Sequence, residues 1–270
     1  PLHRGPRPVS ADPTKKLASL LRKLRSQHTD LAPPVVTPDP PDEFDPIVHQ
    51  FIYSMLLWEA STTQARNALK RIREAVVDYN ELRVCIADEV SHIIGDKYPL
   101  SMERAMRLRT ALQEIYQRQH AISLAHLADM GKREARLYLD SLSGCPPFVS
   151  ARVCLMQGLG HAIPVDERLC ALLVQEQVLE PGTPVEQATS WLEHHIKAEE
   201  GRDVALLFQA WSDEHGHPPK RDKRPITIQT QPPVTQEPKP EPKSSKGSSK
   251  SRTKPEPASK KSKSKPRSGS

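Results

Sequence analysis

Two short segments of this chain carry residue types that could do chemistry. The first is IPVDERL, residues 163–169, with Asp166 at its centre. Asp166 stands where it would cap a helix over 167–174, and the same placement would let its carboxylate face a cleft. The second is LSGCPP, residues 142–147. It reads as a tight turn between helices at 131–141 and 148–158. Gly144 can take a backbone conformation that other residues avoid. Free amides where such a turn enters a helix can grip a phosphate. Ser143, Gly144, Cys145, Phe148 and Val149 are the candidate contacts, against the plain alternative of an interhelical turn. Pro146 and Pro147 bring no amide donors to it. The four cysteines, Cys85, Cys145, Cys154 and Cys170, contain no CxxC pair. A reduced, intracellular protein fits, and Cys145, Cys154 and Cys170 read as small buried residues. The histidines show no ligand spacing, so no metal, cluster or other cofactor is expected.

The elements that would position these segments are helical. Apolar residues recur at helix spacing, and no window alternates with period two for long. Helices are expected over 13–27, 46–58, 61–79, 81–94, 101–120, 131–141, 148–158, 166–179, 184–199 and 201–215. Asp45 and Pro46 form a capped start for a nearly all-apolar helix that should be central. The fold class is all-α.

Charge and proline divide the 270 residues into three parts. Residues 218–270 hold 15 Lys+Arg against 4 Asp+Glu, and residues 1–40 hold 7 against 3. The body, 41–217, holds 17 against 26, a net of −9 inside a chain of net +6. That excludes a uniformly basic nucleic-acid-binding domain. Of 27 prolines, 9 lie in 1–41 and 11 in 218–270. The expected organisation is a proline-rich arm with a short helix (1–41), a helical domain (42–217) and a Lys/Pro/Ser-rich tail (218–270). The tail has almost nothing to bury and is expected to be disordered. Its charge suits DNA, RNA or an acidic protein. No apolar run is long enough for a membrane span, and the first residues lack the apolar core of a signal peptide.

The order of these segments resembles the helix-hairpin-helix DNA glycosylases related to endonuclease III and 8-oxoguanine glycosylase. In that family a hairpin close to LPGVG is followed by a helix, a loop and a VD sequence that holds the catalytic Asp. LSGCPP and IPVD stand in those places. FIYSMLLWEAST (51–62) is similar to the family's early helix, which ends beside the lesion pocket. IIGDKYPLSMERAMRLRTALQEI (93–115) is similar to its glycine loop and long helix. The resemblance covers about residues 43–215 and implies a bilobal fold with a helix-hairpin-helix at 131–158. It also implies that Asp166 is catalytic, stabilising charge on the sugar or orienting water at C1′. Trp58 and Glu59 would border the lesion pocket. Trp58 and Tyr53 either stack on an extruded base or pack in the core. Glu59 is either a pocket residue or a solvated helix-end carboxylate.

The departures from the family pattern limit the chemistry. Anchored on SARVCL, the position of the family's Schiff-base lysine falls on Val149, which forms no imine. Lys132 precedes the hairpin and is a poor substitute. The family's iron–sulfur cysteines are missing. The resemblance therefore implies a monofunctional base-excision repair glycosylase, monomeric and cytoplasmic or nucleoid-associated, acting on damaged double-stranded DNA. The competing expectation is an inactive helix-hairpin-helix protein that binds DNA or another protein. A basic groove beside Asp166 and 143–149 would favour DNA, and an acidic one would count against it.

Overall fold

The computed structural model describes residues 12–28 and 44–217. The proline-rich linker and the basic tail, with its expected disorder, lie outside the described residues. Leu17, Leu20, Leu21 and Leu24 repeat every three or four residues, so a helix gathers them on one stripe. Asp12 starts that helix, α1 (Pro13–Gln27), by accepting the Thr14 amide at 3.0 Å. All four leucines are buried.

Asp45 caps α2 (Pro46–Leu57), accepting the Ile47 and Val48 amides at 2.8 and 3.1 Å. Its other carboxylate oxygen takes the Leu124 amide and the Ser123 hydroxyl, tying the start of α2 to a distant loop. Every residue of α2 after Pro46 is buried, as its apolar sequence implies. A Ser61–Gln64 capping box starts α3 (Thr62–Ala75).

The next helices break earlier than helical periodicity suggests. Extended Val76 ends α3, and Asp78 caps the short α4 (Tyr79–Val84) through the Glu81 amide. Glu89 then accepts the Ile86 amide at the start of α5 (Ala87–Ile94). The helix expected over 81–94 is thus two helices, because its acidic residues satisfy amides in mid-segment. Next comes α6 (Ser101–Gln119), capped by left-handed Leu100 rather than by Ser101. A 3-10 turn (Ala125–Asp129) leads to α7 (Lys132–Asp140) and α8 (Pro147–Met156). The chain ends in α9 (Glu167–Gln175), α10 (Val185–His195) and α11 (Gly201–His215).

Eleven α-helices and no strand are found among the described residues. They enclose two hydrophobic cores. One is built from α2 to α8, with Phe51, Ile52, Leu112, Leu139 and Val149 deep inside. The other joins α1 to α9, α10 and α11, where Leu24 meets Leu173, Leu192 and Phe208. The folded part therefore reaches back to α1, which the sequence places in an arm. Four buried leucines, each contributing on the order of 1.5–3 kcal/mol, outweigh the proline-rich setting around them. Among the described residues, no helix is long and apolar enough to cross a membrane, and no cluster of His, Cys, Asp and Glu is arranged to hold a metal ion. All four cysteines are free.

Candidate active site

The site lies where the two cores meet, and it begins at the end of α2. The last carbonyls of that helix face the protein interior, where they need donors. Buried side chains supply them. The Tyr98 hydroxyl donates to Leu56 O at 2.7 Å. The Arg104 guanidinium donates to Met55 O and Trp58 O, and to Pro99 O at 3.1 Å. Arg168, on α9, donates to Ala60 O and Ser212 O. Two buried arginines from different lobes therefore clamp the turn 58–60. Within it Glu59 adopts a left-handed φ of 55°, a conformation that costs a non-glycine residue energy.

The clamp presents Glu59 to the start of α9. Glu59 N donates to Asp166 Oδ2 at 3.2 Å, and Glu167 N donates to Glu59 Oε1 at 2.8 Å. Asp166 Oδ1 accepts the Leu169 amide at 2.9 Å. Asp166 is thus a helix cap and also the partner of a residue in the other lobe. The cap expected of it is present.

Glu59 is only 2% exposed and Asp166 5%. Glu59 is therefore no solvated helix-end carboxylate. Burial, then the charge of Asp166, pushes its carboxyl up to about 8. Burial also raises Asp166, while the Leu169 amide, Arg168 and the Glu59 amide pull it back. Two buried carboxyls this close do not both ionise at neutral pH. Asp166 has the partners that favour a carboxylate. Glu59 Oε2 is buried and has no hydrogen-bond partner among the described residues.

Both carboxyls line a cleft of about 480 Å³. Trp58 and Val165 form part of its wall beside them, and Gly144, Cys145, Pro146, Pro147 and Phe148 form another part. Trp58 is held by the guanidinium groups of Arg104 and Arg107, at 5.6 and 5.4 Å from its ring centre. Tyr53 is fully buried in the core.

The hairpin is packed against α6. Gly144 has φ +82°, and a Cβ there would sit 2.9 Å from Arg107 O. Of the five hairpin residues singled out in the sequence, Gly144, Cys145 and Phe148 reach the cleft. Ser143 does not; it is buried, and its amide donates to Glu114 Oε2 at 2.6 Å. Val149 does not either; its side chain is in the core and its amide is bonded to Pro146 O. The Cys145 amide is bonded to Leu142 O. Gly144 and Phe148 are themselves buried. The cleft-facing position after the turn is Phe148, one residue before the one that sequence alignment selects. Among the described residues, no lysine lines the cleft. Lys132 packs beside Gly160 instead. The Cys145 thiol is pushed far up by burial, so it offers no thiolate.

The lining is acidic. Glu59, Asp140, Asp166, Glu167 and Glu186 face Arg107 as the one Lys or Arg among the lining residues. Asp140 is balanced by Arg136 at 3.0 Å. Even so, the groove is not the basic one that a phosphate backbone favours. The sequence marked Asp166 and, through resemblance, Glu59. It carried no signal for Arg104 and Arg168, because buried arginines have no local pattern.

No protein-family model matches this chain, and no curated protein sequence does. Solved structures do match it. A trapped covalent intermediate of endonuclease III with DNA is 14% identical, over 73% of this chain and 85% of that one, with a TM-score of 0.56. A non-covalent endonuclease III–DNA complex gives the same identity and coverage, with a TM-score of 0.55. The Clostridium acetobutylicum 8-oxoguanine glycosylase/lyase, in complex with DNA containing cytosine opposite 8-oxoguanine, is 14% identical over 75% of this chain and 69% of that one, with a TM-score of 0.52. The all-helical, two-lobed fold is that of the helix-hairpin-helix DNA glycosylases. At this level of identity the likeness establishes architecture and leaves the chemistry to the site itself.

Proposed function

We propose that the cleft is the base pocket of a DNA N-glycosylase that hydrolyses the bond between a damaged or mismatched base and its sugar, without lyase action. The observation that carries this reading is the Glu59–Asp166 pair. Two buried carboxyls, held in a clamped and strained turn, line a cleft of this fold. Groups with raised pKa values in a cleft mark functional sites. A carboxylate at Asp166 suits the positive charge that builds on the sugar as the base leaves. An extruded base is uncharged or cationic, so an acidic pocket can accept it where it would repel a phosphate. The backbone phosphates would then be held outside the cleft, with the tail of net +11 adding general affinity. The lack of a lysine among the described lining residues supports hydrolysis over imine chemistry.

A second reading has its own support. The acidic lining and the two hairpin prolines favour a catalytically inactive member of this fold that binds DNA weakly or binds a protein. One experiment separates the two: base release and strand nicking by the full chain on a panel of damaged and mismatched duplexes, with Asp166→Asn alongside. The first reading requires release without nicking, and its loss in D166N with binding retained. No release on any duplex, or D166N at the wild-type rate, removes it.

A further inference from the structure

Resting on the glycosylase reading, we infer that Glu59 is the proton donor to the departing base, and that the substrates are bases that leave well only when protonated. These are neutral lesions or mismatched bases with a ring nitrogen or exocyclic oxygen to accept the proton. N-alkylated bases that already carry a positive charge need no such donor.

Three observations lead there. Glu59 keeps its place at a left-handed φ of 55°, although glycine or asparagine would hold that turn with less strain. Glu59 lines the cleft and its two oxygens are used unequally: Oε1 accepts the Glu167 amide at 2.8 Å, while Oε2 is buried without a partner among the described residues. A buried oxygen of that kind is costly as an acceptor, but as a protonated donor it awaits a base. Asp166 has the opposite surroundings, with two amides on its carboxylate and Arg168 near it. The pair is thus divided into an acid and a carboxylate, the pattern by which two neighbouring carboxyls take different roles. The push of the Glu59 carboxyl to about 8 is in line with that division.

The step balances. The C1′–N bond breaks, and its electron pair leaves with the base. The Oε2 proton joins the base at its ring nitrogen or exocyclic oxygen, so the base departs neutral. Asp166 stabilises the charge at C1′. Water adds its oxygen to C1′, and the proton it loses returns to Glu59. The products are a free base and a sugar hydroxyl at C1′, and the enzyme is restored.

Glu59→Gln is the informative variant. The amide oxygen can still accept from Glu167 N, so a purely structural role survives while the proton is lost. Single-turnover release is measured for wild type, E59Q and D166N on duplexes carrying uracil, hypoxanthine or 8-oxoguanine, and on one carrying N7-methylguanine. The expected result is that E59Q slows the best neutral lesion roughly 10²-fold more than it slows N7-methylguanine, while D166N slows both alike. The pH profile of wild type gives a second readout that needs no variant: neutral-base release should fall as pH rises through about 8. Equal slowing of both classes by E59Q, a flat profile above pH 8, or wild-type release of N7-methylguanine alone would overturn the inference and leave the glycosylase reading standing. No release from any duplex would sink the glycosylase reading, and the inference with it.

Discussion

Glu59 and Asp166 are 107 residues apart in the chain, and the amide of the first donates to the carboxylate of the second at 3.2 Å. Glu59 returns the contact by accepting the amide of the residue after Asp166. The two lobes are therefore joined at the point where the chemistry is proposed. Damage to either residue should register both in stability and in activity, and the balance between the two effects separates their roles.

Asp166 caps α9 through one oxygen and meets Glu59 through the other. Asp166→Ala should lower stability by about 0.5–2 kcal/mol for the lost cap, read as a shift in the denaturation midpoint. Asp166→Asn keeps an acceptor and should cost less stability. Both should lower base release by about 10²–10⁴-fold. Equal activity loss from a cap elsewhere, such as Asp45→Asn, would show that the effect is merely structural.

Glu59 also makes a prediction for stability against pH. Its carboxyl is raised in the folded protein from the usual range to about 8. The folded state therefore holds a proton that the unfolded chain releases. Its contribution is fully present below about pH 4.5 and is lost as pH rises towards 8, on the order of a few kcal/mol in all. Thermal midpoints should fall over that window, and Glu59→Gln should flatten the slope. An unchanged slope in E59Q would contradict the protonated state.

Gly144 sits at φ +82° with its α-carbon against the Arg107 backbone. Gly144→Ala meets a carbonyl oxygen as well as an unfavourable backbone angle. It should destabilise by about 1–3 kcal/mol and weaken duplex binding by shifting the hairpin. Gly182 makes the control, since it has a similar φ of +84° but open space around it. Gly182→Ala should cost less and leave binding alone.

Arg104 is fully buried and holds the carbonyls at the end of α2. Arg104→Met should leave those carbonyls without donors, at about 1–3 kcal/mol for each group stranded. Arg104→Lys keeps the charge but not the fork, and should fall between Met and wild type. Because Arg104 acts through the Glu59 turn, both variants should shift the pH profile of base release, which a loss of stability alone would not do.

Phe148 is 5% exposed in the first core and also lines the cleft, while Val149 is in that core and does not reach the cleft. Phe148→Lys should cost stability, because Phe148 is also a core residue, but its amine can reach the cleft and should form a borohydride-trappable adduct with a duplex containing an abasic site. Val149→Lys should unfold or lose several kcal/mol, because it buries an unpaired charge. Trapping by V149K and not by F148K would reverse the assignment.

Helix content, the apolar character of α2 and the caps at Asp45 and Asp166 were all legible in the sequence. Each depends on residues within a turn or two of one another, and helical periodicity and capping are local rules. The stop between α4 and α5 was harder to see, because acidic caps interrupt an apolar rhythm that otherwise runs on. The docking of α1 into the second core was hidden by its proline-rich surroundings; its leucine stripe was visible but its partner was not. Only the tertiary structure decided that Glu59 is buried against Asp166, that Arg104 and Arg168 clamp its turn, and that Phe148 rather than Val149 faces the cleft. Those outcomes depend on desolvation, on a strained φ and on contacts between residues more than a hundred positions apart, and no local pattern encodes them. The sequence determined a helical chain with a capping aspartate after a glycine–proline turn, and the packing of the two lobes turned that cap into half of a carboxyl pair.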